Sequence, residues 1–343
     1  MKIGKYEINR GRTLVIAEIG GNHEGDFDRA RKMVADAARA GADAVKFQVF
    51  KAENLVNRSS RVPTYSGITH DQQFARFKKM EFTPEQYRLL KKDSEQFGLL
   101  FVASVFDVEI ARMMAPLLDA FKVASGDITY ERLLRLLGTF KKPVLISTGA
   151  STLDEVRRAM MWVGRSKALL LHCICAYPAP YEEMYLRNIP YLSKQFKVPV
   201  GFSDHSVGTE CCLAAVTLGA AIIEKHFTYD KTIPYGDHRH SVDAADLEEM
   251  VTKIRNIEKA LRPVTCRTVY PAEVKARRLV RRSLVAAKTL SSGDILKTGD
   301  VIARRPLEGI PAEEESQVIG RVLRRTIREG WPIKKSDLMR RQS

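Results

Sequence analysis

The sequence predicts an α/β fold: a (β/α)₈ barrel followed by a small β-rich module. Three observations carry this. Short β-rich runs alternate with amphipathic helical patterns. Several of the strand runs are continuously apolar, as a parallel sheet buried on both faces requires. Eight such units occupy roughly 250 residues, the size of a closed barrel of this type. A doubly wound open sheet is the alternative, but no G-x-G-x-x-G nucleotide turn follows an early strand.

The strand runs are Thr13–Ile19, Ala42–Val49, Leu99–Ala103, Ala120–Ala124, Pro143–Ser147, Ala168–Cys173, Val198–Phe202 and Ala220–Phe227. Helical patterns follow over Asp28–Ala40, Pro84–Phe97, Val108–Leu118, Tyr130–Leu137, Thr152–Val163, Thr209–Leu218 and Ala244–Leu261. Glu182–Phe196 is a weaker helix interrupted by Pro190. The barrel is expected over residues 1–261. Residues 262–280, with Pro263 and Pro271, read as a linker arm. Residues 281–343 carry short strand-like pieces between turn residues, too few for a large core of their own.

Bulk properties narrow the function classes. A hydrophobic share of 45% and a charged share of 28% are those of an ordinary folded domain rather than a disordered chain. The N-terminus lacks the apolar core of a signal peptide, and no apolar run is long enough to span a membrane. Five cysteines without framework spacing fit a reducing compartment. A cytoplasmic protein is therefore expected. Of the net charge of +15, +10 lies from Arg262 onward. No DNA- or RNA-binding module accompanies it, so nucleic acid is not an expected partner and a solvated basic face is the plainer reading.

The polar residues fall in one pattern. Glu18, Lys46, Gln48, Ser104, Lys122, Ser125, Ser147, His172, Ser203, His205, Glu224 and His226 all lie at or near the C-terminal ends of strand runs. Barrel enzymes build their sites there. Buried Lys and Glu without partners are rare, so a purely structural role does not explain the set. Two lysines with several hydroxyls suit a phosphorylated or carboxylated substrate. No Walker loop points to ATP. His205 and His226 end adjacent strands and can share a divalent ion with open positions for substrate. His238 and His240, in GDHRHS, read equally as substrate contacts or as an ordinary solvated loop. Cys173 and Cys175 form a C-x-C, which reads as core strand rather than a zinc site.

At this point motifs carry a resemblance. AEIGGNHEGD (17–26), KFQ (46–48), FKVASGD (121–127), STGAS (147–151), LHCICAYPAPYE (171–182), GFSDHS (201–206) and EKHFTYD (224–230) resemble the sialic acid synthases. RRSLVAAKTLSSGDIL (281–296) and RRPLEGIP (304–311) resemble their antifreeze-like (SAF) domain. The resemblance implies condensation of phosphoenolpyruvate with N-acetylmannosamine or a related N-acyl amino sugar, giving N-acetylneuraminate and phosphate. It implies that His205 and His226 hold a divalent metal, Mn²⁺ or Mg²⁺. Lys46, Ser104, Lys122, Ser125, Ser147 and Ser203 would bind phosphoenolpyruvate, with Cys175 standing where several relatives place Asn or Ser. Glu18, Gln48, Tyr177 and Asp237 would meet the sugar, with Glu18 and then Asp127 as candidates for proton transfer. It also implies a domain-swapped homodimer in which Arg305 caps the partner's barrel. Leu307-Glu308 departs from the Gly and small residue common at that loop. Legionaminate, pseudaminate or sialic acid 9-phosphate synthesis is the alternative within this chemistry. A basic, non-catalytic barrel that binds nucleic acid or a glycan is the alternative outside it.

Overall fold

The computed structural model describes residues 1–8, 11–64, 67–263 and 265–339. Two compact units divide the chain, Met1–Arg262 and Pro263–Ser343.

The first unit opens with a hairpin, β1 (Lys2–Ile3) and β2 (Tyr6–Glu7). Eight strands then close a parallel barrel: β3 (Leu14–Gly20), β4 (Ala44–Val49), β5 (Leu100–Val105), β6 (Ala120–Val123), β7 (Val144–Ser147), β8 (Ala168–His172), β9 (Val200–Asp204) and β10 (Ile222–His226). They pair in chain order, and β10 closes onto β3 with His226 opposite Glu18.

Helix α1 (Phe27–Arg39) follows β3. The long connection after β4 holds α2 (Ala52–Leu55), α3 (His70–Met80) and α4 (Pro84–Gln96). Then come α5 (Val108–Met114), α6 (Glu131–Thr139), α7 (Leu153–Val163), α8 (Asn188–Phe196), α9 (Glu210–Thr217) and α10 (Ala244–Ala260). Their starts are written locally. Thr69, Thr83 and Thr152 each cap a helix reciprocally with a Gln or Glu three residues on, and Asp107 accepts from the amide of Ile110 at 2.7 Å. Among the described residues no helix is long and apolar enough to cross a membrane.

Strand alternation sorts the barrel side chains. Val15, Ala17, Val45, Phe101, Phe121, Ile146, Leu170 and Ile223 face outward into the core shared with the helices. Leu14, Ile16, Ala44, Leu100, Val102, Leu145, Leu171 and Ile222 fill the barrel interior. Ile3, Tyr6 and Ile8 of the hairpin region join this inner cluster. Gly201 belongs to the interior as well. A Cβ there would lie 2.6 Å from Leu171 Cδ2 and 2.7 Å from the Ile222 carbonyl, so only glycine lets these strands approach.

The second unit contains α11 (Pro271–Val280), the antiparallel pair β11 (Ser283–Ala286) and β12 (Val301–Arg304), and the short α12 (Glu315–Val318). Its core is small and includes Leu284, Leu290, Leu296, Leu323, Ile327 and Ile333.

Four sequence expectations need correction. The Pro190 region is not one interrupted helix: Tyr181–Glu183 is a separate turn, and Pro190 sits in the first turn of α8, where amides lack intrahelical partners anyway. Part of the linker arm is helical, because Pro271 starts α11 and the Glu273 carboxylate accepts from the Tyr270 amide at 3.0 Å. The β1–β2 hairpin and α3 have no counterpart among the expected elements. Strands β5 and β9 each end two residues later than read, so Ser104, Ser203 and Asp204 lie within strands rather than after them.

Candidate active site

The alternation that fills the lower barrel with Leu and Ile continues upward with polar residues. Glu18 follows Leu14 and Ile16 on β3; Lys46 and Gln48 follow Ala44 on β4; Ser104 follows Val102 on β5. Lys122, Ser147, Ser203 and Glu224 occupy the same place on β6, β7, β9 and β10. All but Gln48 are buried.

Four of these groups form a charge-balanced set. Lys46 Nζ lies 2.9 Å from Glu18 Oε2 and 3.6 Å from Glu224 Oε1, and donates to Ser104 Oγ at 3.1 Å. Lys122 Nζ lies 3.9 Å from Glu224 Oε1. Ser203 donates to Glu224 at 2.9 Å, and the Gln48 amide donates to Glu18 at 3.1 Å.

Burial and partners divide the protons unequally. Desolvation and the nearby Glu224 hold the Glu18 carboxyl above the usual carboxylate range despite Lys46. Desolvation acts the same way on Glu224, but Lys46, Lys122 and Ser203 outweigh it and lower that group. Burial depresses both lysines. Glu18 and Glu224 overcome this for Lys46, whereas Lys122 stays below its ordinary value. Asp127, in the turn after β6, is pushed up to about 6 by burial, opposed by Lys122. Ser147 Oγ is buried and has no hydrogen-bond partner.

On the neighbouring side of the mouth three imidazoles gather. The rings of His205 and His226 are 5.6 Å apart, and His240 lies 4.9 Å from His226 and 6.3 Å from His205. The Tyr177 ring lies 4.2 Å from that of His205, tilted by 35°. Asp237 Oδ2 is 3.8 Å from His226 Nδ1, and Asp237 Oδ1 is 3.9 Å from His240 Nε2. Burial lowers all three imidazoles, to about 4 for His205 and about 3 for His240, so they are neutral near pH 7.

Neutral imidazoles are metal donors. His226 Nδ1 and both His240 nitrogens are buried without a hydrogen-bond partner. His205 Nδ1 is taken by the Ile174 carbonyl at 2.6 Å, which leaves Nε2 as its donor. The donor chemistry fits a divalent ion. As the side chains stand, however, no group of three or more His, Cys, Asp or Glu among the described residues is arranged to hold one.

Of the sequence-predicted residues, Glu18, Lys46, Gln48, Ser104, Lys122 and Ser203 join one network, and His205, His226, Tyr177 and Asp237 join the imidazole cluster. Ser125 Oγ is 3.1 Å from Cys173 Sγ and accepts from the Gly149 amide at 3.2 Å, next to Cys175. Arg305 lies in the second unit, exposed, directly after β12.

Two members carried no assigned role in the sequence: Glu224, one of the polar residues at the strand ends, and His240, read equally as a substrate contact or a solvated loop. Glu224 is two residues from His226, so alternation alone places both inward. His240 is buried rather than part of a solvated loop, because the turn Gly236–His240 folds back onto the mouth. His238 is buried too, 2.7 Å from Thr228 Oγ1. Asp204 and Lys225 alternate outward and pair at 2.9 Å, fully buried, while His172 bonds the Met184 carbonyl.

A closed parallel barrel with charged groups and imidazoles gathered at its C-terminal mouth has the form of a barrel enzyme. The model of the NeuB family matches residues 33–266, and that of the SAF domain matches residues 281–339. The chain is 35% identical over 327 residues to N,N'-diacetyllegionaminic acid synthase of Campylobacter jejuni, covering 93% of this chain and 98% of that protein. It is 33% identical over 334 residues to human N-acetylneuraminate-9-phosphate synthase, covering 95% and 92%. The crystal structure of N-acetylneuraminic acid synthetase from Leptospira borgpetersenii superposes with a TM-score of 0.73 at 31% identity, covering 80% of this chain and 94% of that one. The chain belongs to the NeuB family and is an enzyme of the sialic acid synthase type.

Proposed function

We propose that the protein condenses phosphoenolpyruvate with the open-chain aldehyde of an N-acyl amino sugar, releasing phosphate and a nonulosonic acid. The observation that carries this is the buried Lys46–Glu18–Glu224–Lys122 set beside three neutral imidazoles. N-acetylmannosamine is the first substrate to test. The likeness to the Campylobacter and Legionella N,N'-diacetyllegionaminic acid synthases, 35% and 36% identical, favours a diacetamido sugar as the second.

Lys122, together with Ser104, Ser125, Ser147 and Ser203, takes the phosphate and carboxylate oxygens of phosphoenolpyruvate. Lys46 exchanges part of its pairing with Glu18 and Glu224 for the same charge. Cys175 lies against this group. Gln48, Tyr177 and Asp237 hold the sugar. His205 and His226, with His240 and Asp237 alongside, would hold Mn²⁺ or Mg²⁺, which would supply a Lewis acid for the aldehyde oxygen.

The methylene carbon of phosphoenolpyruvate then bonds to the aldehyde carbon. Glu18, whose raised pKa keeps a proton available near neutrality, protonates the new alkoxide and leaves a hydroxyl. Water adds to the resulting cationic carbon, and Asp127 takes its proton. Phosphate leaves from the tetrahedral centre. By resemblance we further propose a homodimer in which Arg305 completes the partner subunit's sugar site. Mixing Arg305→Ala with His226→Ala protein should then restore part of the activity on subunit exchange.

The test measures phosphate release from phosphoenolpyruvate against a panel of amino sugars, with product masses. Release that needs both sugar and divalent metal is expected. His205→Ala and His226→Ala should abolish turnover, lose metal in a direct binding assay and keep wild-type circular dichroism. Full turnover of either variant in chelator would overturn the metal assignment.

A further inference from the structure

We propose that Cys173 and Cys175 form a modification site for hydroperoxides, closing to a reversible disulfide that switches the barrel mouth off. The pair lies where β8 ends. Its two members are two residues apart, and both side chains reach the same bare backbone position at Gly149, beside Ser125. Cys173 is 2% exposed and Cys175 is half-buried, which leaves one sulfur reachable and one sheltered. Ser125 Oγ lies 3.1 Å from Cys173 Sγ, beside both thiols.

Gly149 is what lets them meet. A Cβ at that residue would lie 2.6 Å from Cys175 Sγ, 2.9 Å from Cys173 Sγ and 2.9 Å from Ser125 Oγ. All three side chains therefore crowd one bare backbone position. The chain through Cys173–Cys175 has already left the regular strand, so the backbone can bend to the short Cα separation that a disulfide needs.

The other cysteines are placed differently. Cys211 and Cys212 are consecutive on α9, where neighbours point in different directions, and Cys212 Sγ donates to Asp204 at 3.1 Å. Cys266 is exposed and lies in the second unit.

The two sulfurs also differ in character. The neighbouring Cys175 and then burial hold the Cys173 thiol well above the ordinary thiol range. Cys173, with Ser125 and Lys122, pulls Cys175 below it. Cys175 is thus the attacking thiolate and Cys173 the resolving thiol.

The Cys175 thiolate attacks the terminal oxygen of the hydroperoxide. An S–O bond forms, the O–O bond breaks, and the alkoxide or hydroxide leaves and takes a proton. Cys173 sulfur then attacks Cys175 sulfur; S–S forms, S–O breaks, and the departing hydroxide takes the Cys173 proton as water. Two thiols supply the two electrons that reduce the peroxide. The disulfide removes Cys175 from its place beside Ser125 and Lys122. The loss of activity rests on the proposed phosphoenolpyruvate site, whereas the sulfur chemistry does not.

Reduced, desalted full-length protein is treated with hydrogen peroxide, alkylated and digested with trypsin. The peptide Ala168–Arg187 holds both sulfurs and should lose two hydrogens, with no link to another peptide. Phosphate release should fall at least about tenfold and return with dithiothreitol. Phosphoenolpyruvate added first should slow both changes. Cys175→Ser protein, compared with its own untreated rate, should lose less than about twofold under the same dose. An unchanged peptide mass, or equal loss of rate in Cys175→Ser, overturns the proposal. If the reduced protein releases no phosphate with any sugar, the functional reading fails instead. The peptide mass then decides alone: closure upholds the dithiol site, and its absence removes it.

Discussion

The two ends of the same eight strands differ more than any two helices of the barrel. Their lower interior is Leu14, Ile16, Leu100, Val102 and Leu145, closed below by Ile3 and Ile8 of the hairpin region. Their upper interior is Glu18, Lys46, Lys122, Ser203 and Glu224. Both are buried and both obey the same alternation. The lower end stabilises the fold by removing apolar surface from water. The upper end holds ionisable groups out of water, and that arrangement is seldom a net gain in stability. Stability therefore resides at one end and chemistry at the other, a few residues apart on each strand.

The comparison breaks most visibly at Lys46. Lys46→Met leaves two buried carboxyls against one remaining lysine, and should cost about 3–5 kcal/mol in urea unfolding while removing turnover. Adding Glu18→Gln should return part of that stability without returning activity. Retained turnover in the single variant would place the working charges elsewhere.

Leu145→Ala is the converse test. It should cost about 2–5 kcal/mol, yet the folded fraction should keep the wild-type kcat. A large fall in kcat would show that the two ends are mechanically coupled.

His23 sharpens the comparison from outside the barrel. It stacks 4.4 Å from Phe82, and burial pulls it to about 4 from an ordinary 6.5. Between those values the unfolded chain binds the proton and the folded chain does not, so its contribution is present above pH 6.5 and is lost as pH falls toward 4. The advantage of wild type over His23→Asn should shrink by as much as about 3 kcal/mol across that window. A constant gap would mean that folding leaves the proton affinity of His23 unchanged.

The smallest expected effect is Lys122→Met. A roughly hundredfold fall in kcat/KM for phosphoenolpyruvate is expected, against a small change for the sugar. A change confined to the sugar would reassign Lys122.

Much of this was legible in the sequence because a barrel repeats one simple rule. Continuous apolar runs such as ALLLH mark buried parallel strands, and polar residues at their ends mark the mouth. Glu224 was legible by the same rule, since it shares a face with His226. His240 was not, because the fold-back of Gly236–His240 is a long-range event with no periodic signal. Helix α3 escaped notice because HDQQFARFKKM buries only Met80, leaving little apolar stripe to read. The hairpin is too short to show a strand pattern.

Strand alternation also imposes a grammar on change. Each barrel strand works like a line of text read every second letter. Deleting one residue within β10 would turn Lys225 inward and His226 outward, exchanging a donor for a cation, and would bury Ile223 where Ile222 now packs. Deleting two would restore the frame while moving the mouth by one layer. Length variation that keeps a working enzyme is therefore confined to the loops. The 50–83 connection, which carries none of the grouped mouth residues, can change length without misspelling the site, whereas the Gly236–His240 turn, with Asp237 and His240, cannot.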